Sequence, residues 1–332
     1  MKTVVVTGAM GFIGSHTCKA FKQAGYRVIG IDRAVTIPQA TKFIDTFVKE
    51  DFVNTTARVA IKEHAVAVVH IAATSLVGPS ISDPGLYYDN NVSKTNLMLE
   101  QLSKQGWTGT VVFSSSAAIY GNDCAVPIVE SAGSLPVSPY GHSKLMCEHV
   151  IADHCHASAN IKAIALRYFN ACGCDADGDL GNIWNDTHLI PRIIESIITR
   201  KQLVINGKNF NTKDGTCVRD YLHVSDIASA HVAAVDLAAK MLPASFEAYN
   251  LGTGTGYSNL ELVENCVRIT KQDLDVCYGS ARTGDPDELV AAPHKFMAAT
   301  NWQPVNSTLE NIITTTYHWM KTLDCCSNAV ES

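Results

Sequence analysis

Tyr140 and Lys144 stand four apart in Tyr-Gly-His-Ser-Lys, a spacing that puts a phenol and an ammonium on one face of a helix. A free tyrosine, with a pKa of about 10, is a poor base at neutrality, and a neighbouring cation favours its phenolate. The pair therefore reads as a base, Tyr140, tuned by Lys144. His142, a quarter turn or more off that face, reads as bland. Upstream, the run Val111–Phe113 leads into Ser114-Ser115-Ser116, and hydroxyls at the carboxyl end of a parallel strand sit where open α/β folds bind ligands. Ser116 is the expected hydrogen-bonding partner of a reacting oxygen.

A second constellation lies at the start of the chain. Gly8, Gly11 and Gly14 form G-x-x-G-x-x-G between an apolar run and a helix-like segment. Such a loop lets backbone and helix N-terminus approach a pyrophosphate. Asp32 follows at the end of the next apolar run, where a carboxylate accepts bonds from an adenosine ribose and repels a 2′-phosphate. NAD is expected over NADP, although Arg33 beside it could meet a phosphate.

These residues need elements that bring them together. Lys2–Thr7 reads as a strand buried on both faces, Ser15–Gln23 as a helix and Arg27–Ile31 as a second strand. The alternation continues: strand Val66–Ile71, helix Asn90–Lys104, strand Thr110–Phe113, helix Tyr140–His156, strand Ile161–Leu166. This predicts an α/β, Rossmann-type doubly wound parallel sheet. After about residue 170 come Gly/Asp/Asn-rich connections, a helix over Leu189–Thr199 and a polar, hairpin-like stretch around Asn206–Gly215. A smaller mixed α/β C-terminal substrate domain is expected there. Helix His223–Lys240 and strand Ala248–Gly252 suggest a return to the first domain. The division expected is 1–172 for NAD, also receiving about 222–250, with 173–221 and 251–332 for substrate.

The 332 residues are 46% hydrophobic, ample for a sizeable core. No apolar run is long enough to span a membrane. The 26 basic residues do not cluster and are outnumbered by 32 acidic ones, which argues against a nucleic-acid partner. The first strand leaves no room for an export signal, so a cytoplasmic location is expected. Reduced thiols follow for the 11 cysteines. None has metal-ligand spacing, not even Cys172 and Cys174, and no metal is expected.

The glycine triplet, strand-end serines and Y-x-x-x-K together resemble the extended short-chain dehydrogenase/reductase superfamily. Phe113–Gly121 (FSSSAAIYG), Arg167–Asn170 (RYFN), Asp214–Val224 (DGTCVRDYLHV) and Arg282-Thr-Gly-Asp285 are similar to the UDP-glucose (UDP-galactose) 4-epimerases. The resemblance spans nearly the whole chain. It implies Ser116, Tyr140 and Lys144 as catalytic residues. It implies NAD contacts from Gly8, Gly11, Phe12, Ile13, Gly14, Asp32, Asp51, Phe52, Asn91 and Ser114, together with Tyr140 and Lys144. A UDP-sugar would meet Ser116, Tyr140, Asn170, His188, Leu189, Arg219, Tyr221, Arg282, Asp285 and Leu289. Two arginines suit a diphosphate, since forked donors match phosphate oxygens. A homodimer through helices near Asn91–Lys104 and Lys144–His156 is implied as well.

Four departures from the family pattern bear on substrate. Ala118 replaces a common threonine, Thr187–Pro191 replaces Asn-Asn-Leu-Met-Pro, and Asn206 stands where an aromatic commonly meets the uracil. Leu289 occupies the position that screens the sugar's 2-substituent, which leaves space for N-acetylated sugars. A 4-epimerase of another UDP-sugar, a uronic acid or pentose, stays open. A sugar-nucleotide 4,6-dehydratase would want an Asp-Glu pair where Ala117-Ala118 stands, and a non-enzymatic sensor would lack Tyr140 or Lys144.

Overall fold

The computed structural model describes residues 1–34, 38–158, 160–182, 188–282 and 284–328. Seven parallel strands form the main sheet: β1 (Thr3–Thr7), β2 (Arg27–Asp32), β3 (Thr46–Lys49), β4 (Ala67–His70), β5 (Gly109–Ser116), β6 (Ile161–Tyr168) and, after three strands that belong to other sheets, β10 (Phe246–Leu251). Their order is β10-β6-β5-β4-β1-β2-β3. The order in which strands are added reverses between β1 and β4, the crevice where doubly wound sheets bind ligands. Helices cover both faces. On one side α1 (Phe12–Gln23) and α9 (Val224–Ala238) pack Cys18, Phe21, Ile227 and Ala234 against Val4 and Val6. On the other, α3 (Phe52–Lys62), α6 (Lys94–Lys104) and α7 (Pro139–Ala157) pack Ala57, Met98, Leu102 and Ile151 against Val5, Val111 and Phe113. Strand alternation thus feeds both cores, which is why these strands read as continuous apolar runs. The short helices α2 (Pro38–Thr41), α4 (Val77–Ser82) and α5 (Pro84–Tyr87) complete this half, and a π-helical turn, Tyr88–Ser93, leads into α6.

A third core joins α8 (Leu189–Thr199), α10 (Asn259–Thr270) and α12 (Leu309–Asn328), burying Ile190, Ile193, Leu262 and Ile312. Strand β9 (Val218–His223) runs beside β7 (Asn170–Cys172), β11 (Gly256–Ser258) and β13 (Glu288–Leu289). The expected hairpin around Asn206–Gly215 is corrected: β8 (Leu203–Asn206) pairs in parallel with β12 (Val276–Gly279), in a different sheet from β9. The polar stretch is instead a turn closed by the Phe210 N–H on the Gly215 carbonyl at 3.0 Å. Helix α11 (His294–Thr300) packs Phe296 beneath β10. Among the described residues, no helix is long and apolar enough to cross a membrane.

Candidate active site

A single cavity of about 1070 Å³ runs from the β1–α1 loop to β8. At one end it is lined by Gly8, Gly11, Gly14 and the side chains of Phe12 and Ile13. A Cβ at Gly14 would lie 1.9 Å from the Gly8 carbonyl oxygen, so the loop closes onto α1 only without a side chain there. The Asp32 carboxylate accepts the Met10 N–H at 2.9 Å through Oδ2 and the Ala34 N–H at 2.9 Å through Oδ1, tying the end of β2 to the glycine loop. Arg33 lines this end of the cavity as well, its Nη1 3.9 Å from Asp51 Oδ2. Asp51 caps α3 through the Val53 N–H and accepts Lys94 Nζ at 2.9 Å. These residues fit a dinucleotide: first-turn N–H groups of α1 for a pyrophosphate, and the carboxylates of Asp32 and Asp51 at the ribose end, the latter facing Arg33.

At the centre of the cavity β5 delivers Ser114 and Ser116 and the first turns of α7 deliver Tyr140 and Lys144. Close approach is possible because residue 141 is glycine: a Cβ there would fall 2.2 Å from the Ala118 carbonyl oxygen. Lys144 Nζ donates to the Ser114 carbonyl at 2.7 Å and lies 5.9 Å from the Tyr140 ring centre. Burial lowers the Lys144 ammonium to about 8, against the pull of Cys147 and Glu148. Burial pushes the Tyr140 phenol up to about 12, while a hydrogen bond with Ser116 works downward. In the chain itself desolvation of the phenol outweighs the Ser116 hydrogen bond, which favours ionisation. His142 is exposed.

Towards the far end stand Asn170, Tyr221, Arg219 and Asp285. Arg219 Nη1 donates to the carbonyls of Val218 and Pro286, both at 2.8 Å, and its Nη2 lies 3.7 Å from Asp285. The guanidinium is thus held in place by backbone. Arg282 lines the same cavity and is exposed. Leu289 pairs in register with Arg219 across β13 and β9. His188 stands just before α8, and with Leu189 it lines the cavity; Thr187 lies outside the described residues. Phe52 sits under the cofactor end, its ring 4.8 Å from His70.

Asn91 is the expected site residue that the cavity does not receive. It is buried, with Nδ2 donating to Ser143 Oγ and the Thr74 carbonyl, both at 3.0 Å, and Oδ1 accepting the Thr74 N–H. Its neighbour Asn90 lines the cavity instead. Arg192, Cys217 and Asn259 also line it and carry no signal in sequence spacing. Neither do Ser115, which lines the cavity, and Glu148, which accepts its hydroxyl from behind. Tyr140, Lys144 and Glu148 recur every four residues, a pattern that could have exposed Glu148. Asp175, Asp177 and Asp179 cluster elsewhere, but Lys19 Nζ sits among them, 2.7 Å from two.

The switch-point crevice, glycine loop and Tyr–Lys pair define a dinucleotide-dependent α/β enzyme. The chain belongs to the NAD dependent epimerase/dehydratase family, whose model matches residues 4–252. It is 37% identical to a UDP-glucose 4-epimerase of Lactobacillus helveticus over 97% of both chains. Among solved structures it is similar to a UDP-glucose 4-epimerase from Stenotrophomonas maltophila with bound NAD and formylated UDP-arabinopyranose (TM-score 0.92, 30% identity, covering 98% of this chain and 100% of that one). A UDP-glucose 4-epimerase from Brucella ovis in complex with NAD is likewise similar (TM-score 0.89, 38% identity, 96% and 98% covered).

Proposed function

We propose that this chain is a UDP-glucose 4-epimerase, interconverting UDP-glucose and UDP-galactose by transient oxidation at C4 with bound NAD. The observation that carries this reading is the single cavity with a dinucleotide loop at one end, Tyr140, Lys144 and Ser116 at its centre and two arginines beyond them. When bound, NAD supplies the hydride acceptor and donor and, in its oxidised form, a positive charge.

In this reading Tyr140 Oη takes the proton of the sugar's 4-hydroxyl, directly or through Ser116, and returns it after inversion. Lys144 orients the cofactor ribose while the Ser114 carbonyl fixes its ammonium. Arg219 and Arg282 hold the diphosphate still, so the 4-keto sugar can turn about its phosphate bond and present its other face. Asn170 and Tyr221 flank the sugar, and Asp285 steadies Arg219. Leu289, smaller than an aromatic, leaves room for a 2-acetamido group, so UDP-GlcNAc and UDP-GalNAc join the substrate range. Residues 1–172 with about 222–250 would hold NAD, and 173–221 with 251–332 the UDP-sugar. The same reading makes the enzyme a cytoplasmic homodimer through α6 and α7, on which Leu97 and Met146 are each 44% exposed.

The test is direct. Purified protein incubated with UDP-galactose, UDP-glucose or UDP-GlcNAc is followed by NMR at the C4 proton. Interconversion without added NAD is expected, and turnover of none of them would refute the reading.

A further inference from the structure

Two buried charges sit behind the Tyr–Lys pair, outside the proton path proposed above. Glu148 on α7 and Arg167 on β6 are 2% and 7% exposed. They meet fork to fork, Nε to Oε1 at 3.0 Å and Nη2 to Oε2 at 2.7 Å. Arg167 Nη1 donates on to Tyr120 Oη at 2.8 Å and the Glu130 carbonyl at 3.1 Å. The Tyr120 hydroxyl reaches Asn250 Oδ1 of β10 at 2.8 Å. Glu148 Oε1 also accepts the Ser115 hydroxyl of β5 at 2.5 Å. Strands β5, β6 and β10, helix α7 and the segment after β5 therefore converge on one guanidinium.

Stability alone is a weak reason to keep such a pair, because desolvation offsets most of its attraction and apolar replacements are often neutral. The need lies in α7. Its buried positions are Tyr140, Gly141, Ser143, Lys144, Cys147, Glu148, Ile151 and Cys155, so its N-terminal half has almost no apolar side chain to set its rotation. Polar contacts must do that. Strand alternation puts Ser115 on the sheet face of Val111 and Phe113, the one α7 covers. Consecutive serines then grip the helix: the Ser114 carbonyl takes Lys144, the Ser115 hydroxyl takes Glu148, and Ser116 meets Tyr140.

We propose that the Glu148–Arg167 pair, anchored to β5 through Ser115, is a positioning device that fixes the rotation and height of α7 and so aims Tyr140 and Lys144 at the reacting carbon. This rests on the epimerase reading, and the experiment separates the two.

Steady-state kinetics on UDP-galactose, bound NAD per chain and backbone deuterium exchange over 139–148 are measured for the wild type, Ser115→Ala, Ser115→Thr, Glu148→Gln and the double variant Glu148→Met/Arg167→Met. Small misplacements of reacting groups cost up to about a hundredfold. Ser115→Ala and Glu148→Gln are expected to lower kcat by roughly tenfold to a hundredfold, with KM and bound NAD unchanged and exchange over 139–148 accelerated. Ser115→Thr, which keeps the hydroxyl, recovers most of kcat. The apolar double variant removes the buried charges without stranding either, stays folded and is still slow. Wild-type kcat in the double variant, or unchanged kcat and exchange in Ser115→Ala, would overturn the proposal, as would losses confined to KM or bound NAD. A wild type inactive on every UDP-sugar but with faster exchange in the variants would refute the epimerase reading and leave the positioning role standing; unchanged exchange in that case would overturn both.

Discussion

In the proposed mechanism Tyr140 acts as a base, and so has to lose its proton in a place that disfavours the loss. With burial holding its phenol near 12, only about one molecule in 10⁵ would be ionised at pH 7, and Ser116 is the side chain that eases this. Tyr140→Phe should therefore abolish turnover while NAD stays bound. Ser116→Ala should lower kcat by about tenfold to a hundredfold and move the acid limb of its pH profile upward, because the phenol loses the hydrogen bond that favours its charged form. An unshifted limb would remove Ser116 from the proton path. Leu289 argues the other side of specificity: Leu289→Tyr should narrow the enzyme to UDP-glucose and UDP-galactose, leaving their kcat/KM within a few fold while UDP-GlcNAc turnover drops by at least about tenfold, the order of a steric filter. At this scale the sequence exposed what is local. Tyr140 and Lys144 share a helix face, whereas Ser115 and Glu148, 33 residues apart, are joined only by the packing of α7 on β5. Asn91 shows the converse: the π-helical turn Tyr88–Ser93 departs from the α-helical phase, and the cavity receives Asn90.

Elements explain why the glycine loop was readable and the second half less so. A strand, three glycines and a helix are contiguous in sequence, and the clash they avoid is short-range. Gly14→Ala would set a methyl against the Gly8 carbonyl, so the protein should lose bound NAD and melt several degrees lower; retention of NAD at unchanged affinity, read by fluorescence titration, would contradict this. Strand β3 escaped notice because its four residues are half-exposed at the sheet edge and carry little apolar signal. The supposed hairpin failed for another reason. Strand β8 finds its partner in β12, some 70 residues on, and no turn chemistry announces so distant a parallel pairing. Capping in that half is local again: the Ser258 hydroxyl accepts the Glu261 N–H at 3.0 Å, and Glu261 returns a bond to the Ser258 N–H at 2.9 Å. Ser258 also donates to Asp214, at the head of the segment that carries Arg219. Ser258→Ala should cost about 1 kcal/mol of stability and raise KM for the UDP-sugar more than it lowers kcat.

Across the whole molecule, four histidines are buried, three of them bridging elements, and this sets how the protein meets acid. His70 bridges β1 and α6 through Thr7 and Thr95. His16 lies in α1, bonded to the Phe12 carbonyl. His223 reaches from β9 to Thr315 of α12, and His231 of α9 meets Tyr168 of β6 at 2.6 Å. Burial holds His16, His223 and His231 down to about 4 and His70 to about 3. Unfolded, each would titrate near 6.5. Between about 6.5 and 4 the unfolded chain therefore binds more protons than the folded one, and stability falls as pH drops through that window. Each such proton steepens the fall by roughly 1.4 kcal/mol per pH unit. Asp220 and Asp226 act in the opposite sense, since burial raises their carboxyls and the folded state takes up their protons first; two groups soften the loss caused by four without reversing it. Melting temperature should stay level down to about pH 7 and then fall steeply towards pH 4.5 in one transition, because the four sites span the cores. His231→Gln should lower the melting temperature at pH 7.5, where it breaks the bond to Tyr168, yet flatten the acid slope by about one proton. A slope unchanged by that substitution would show that His231 takes no part in the acid response.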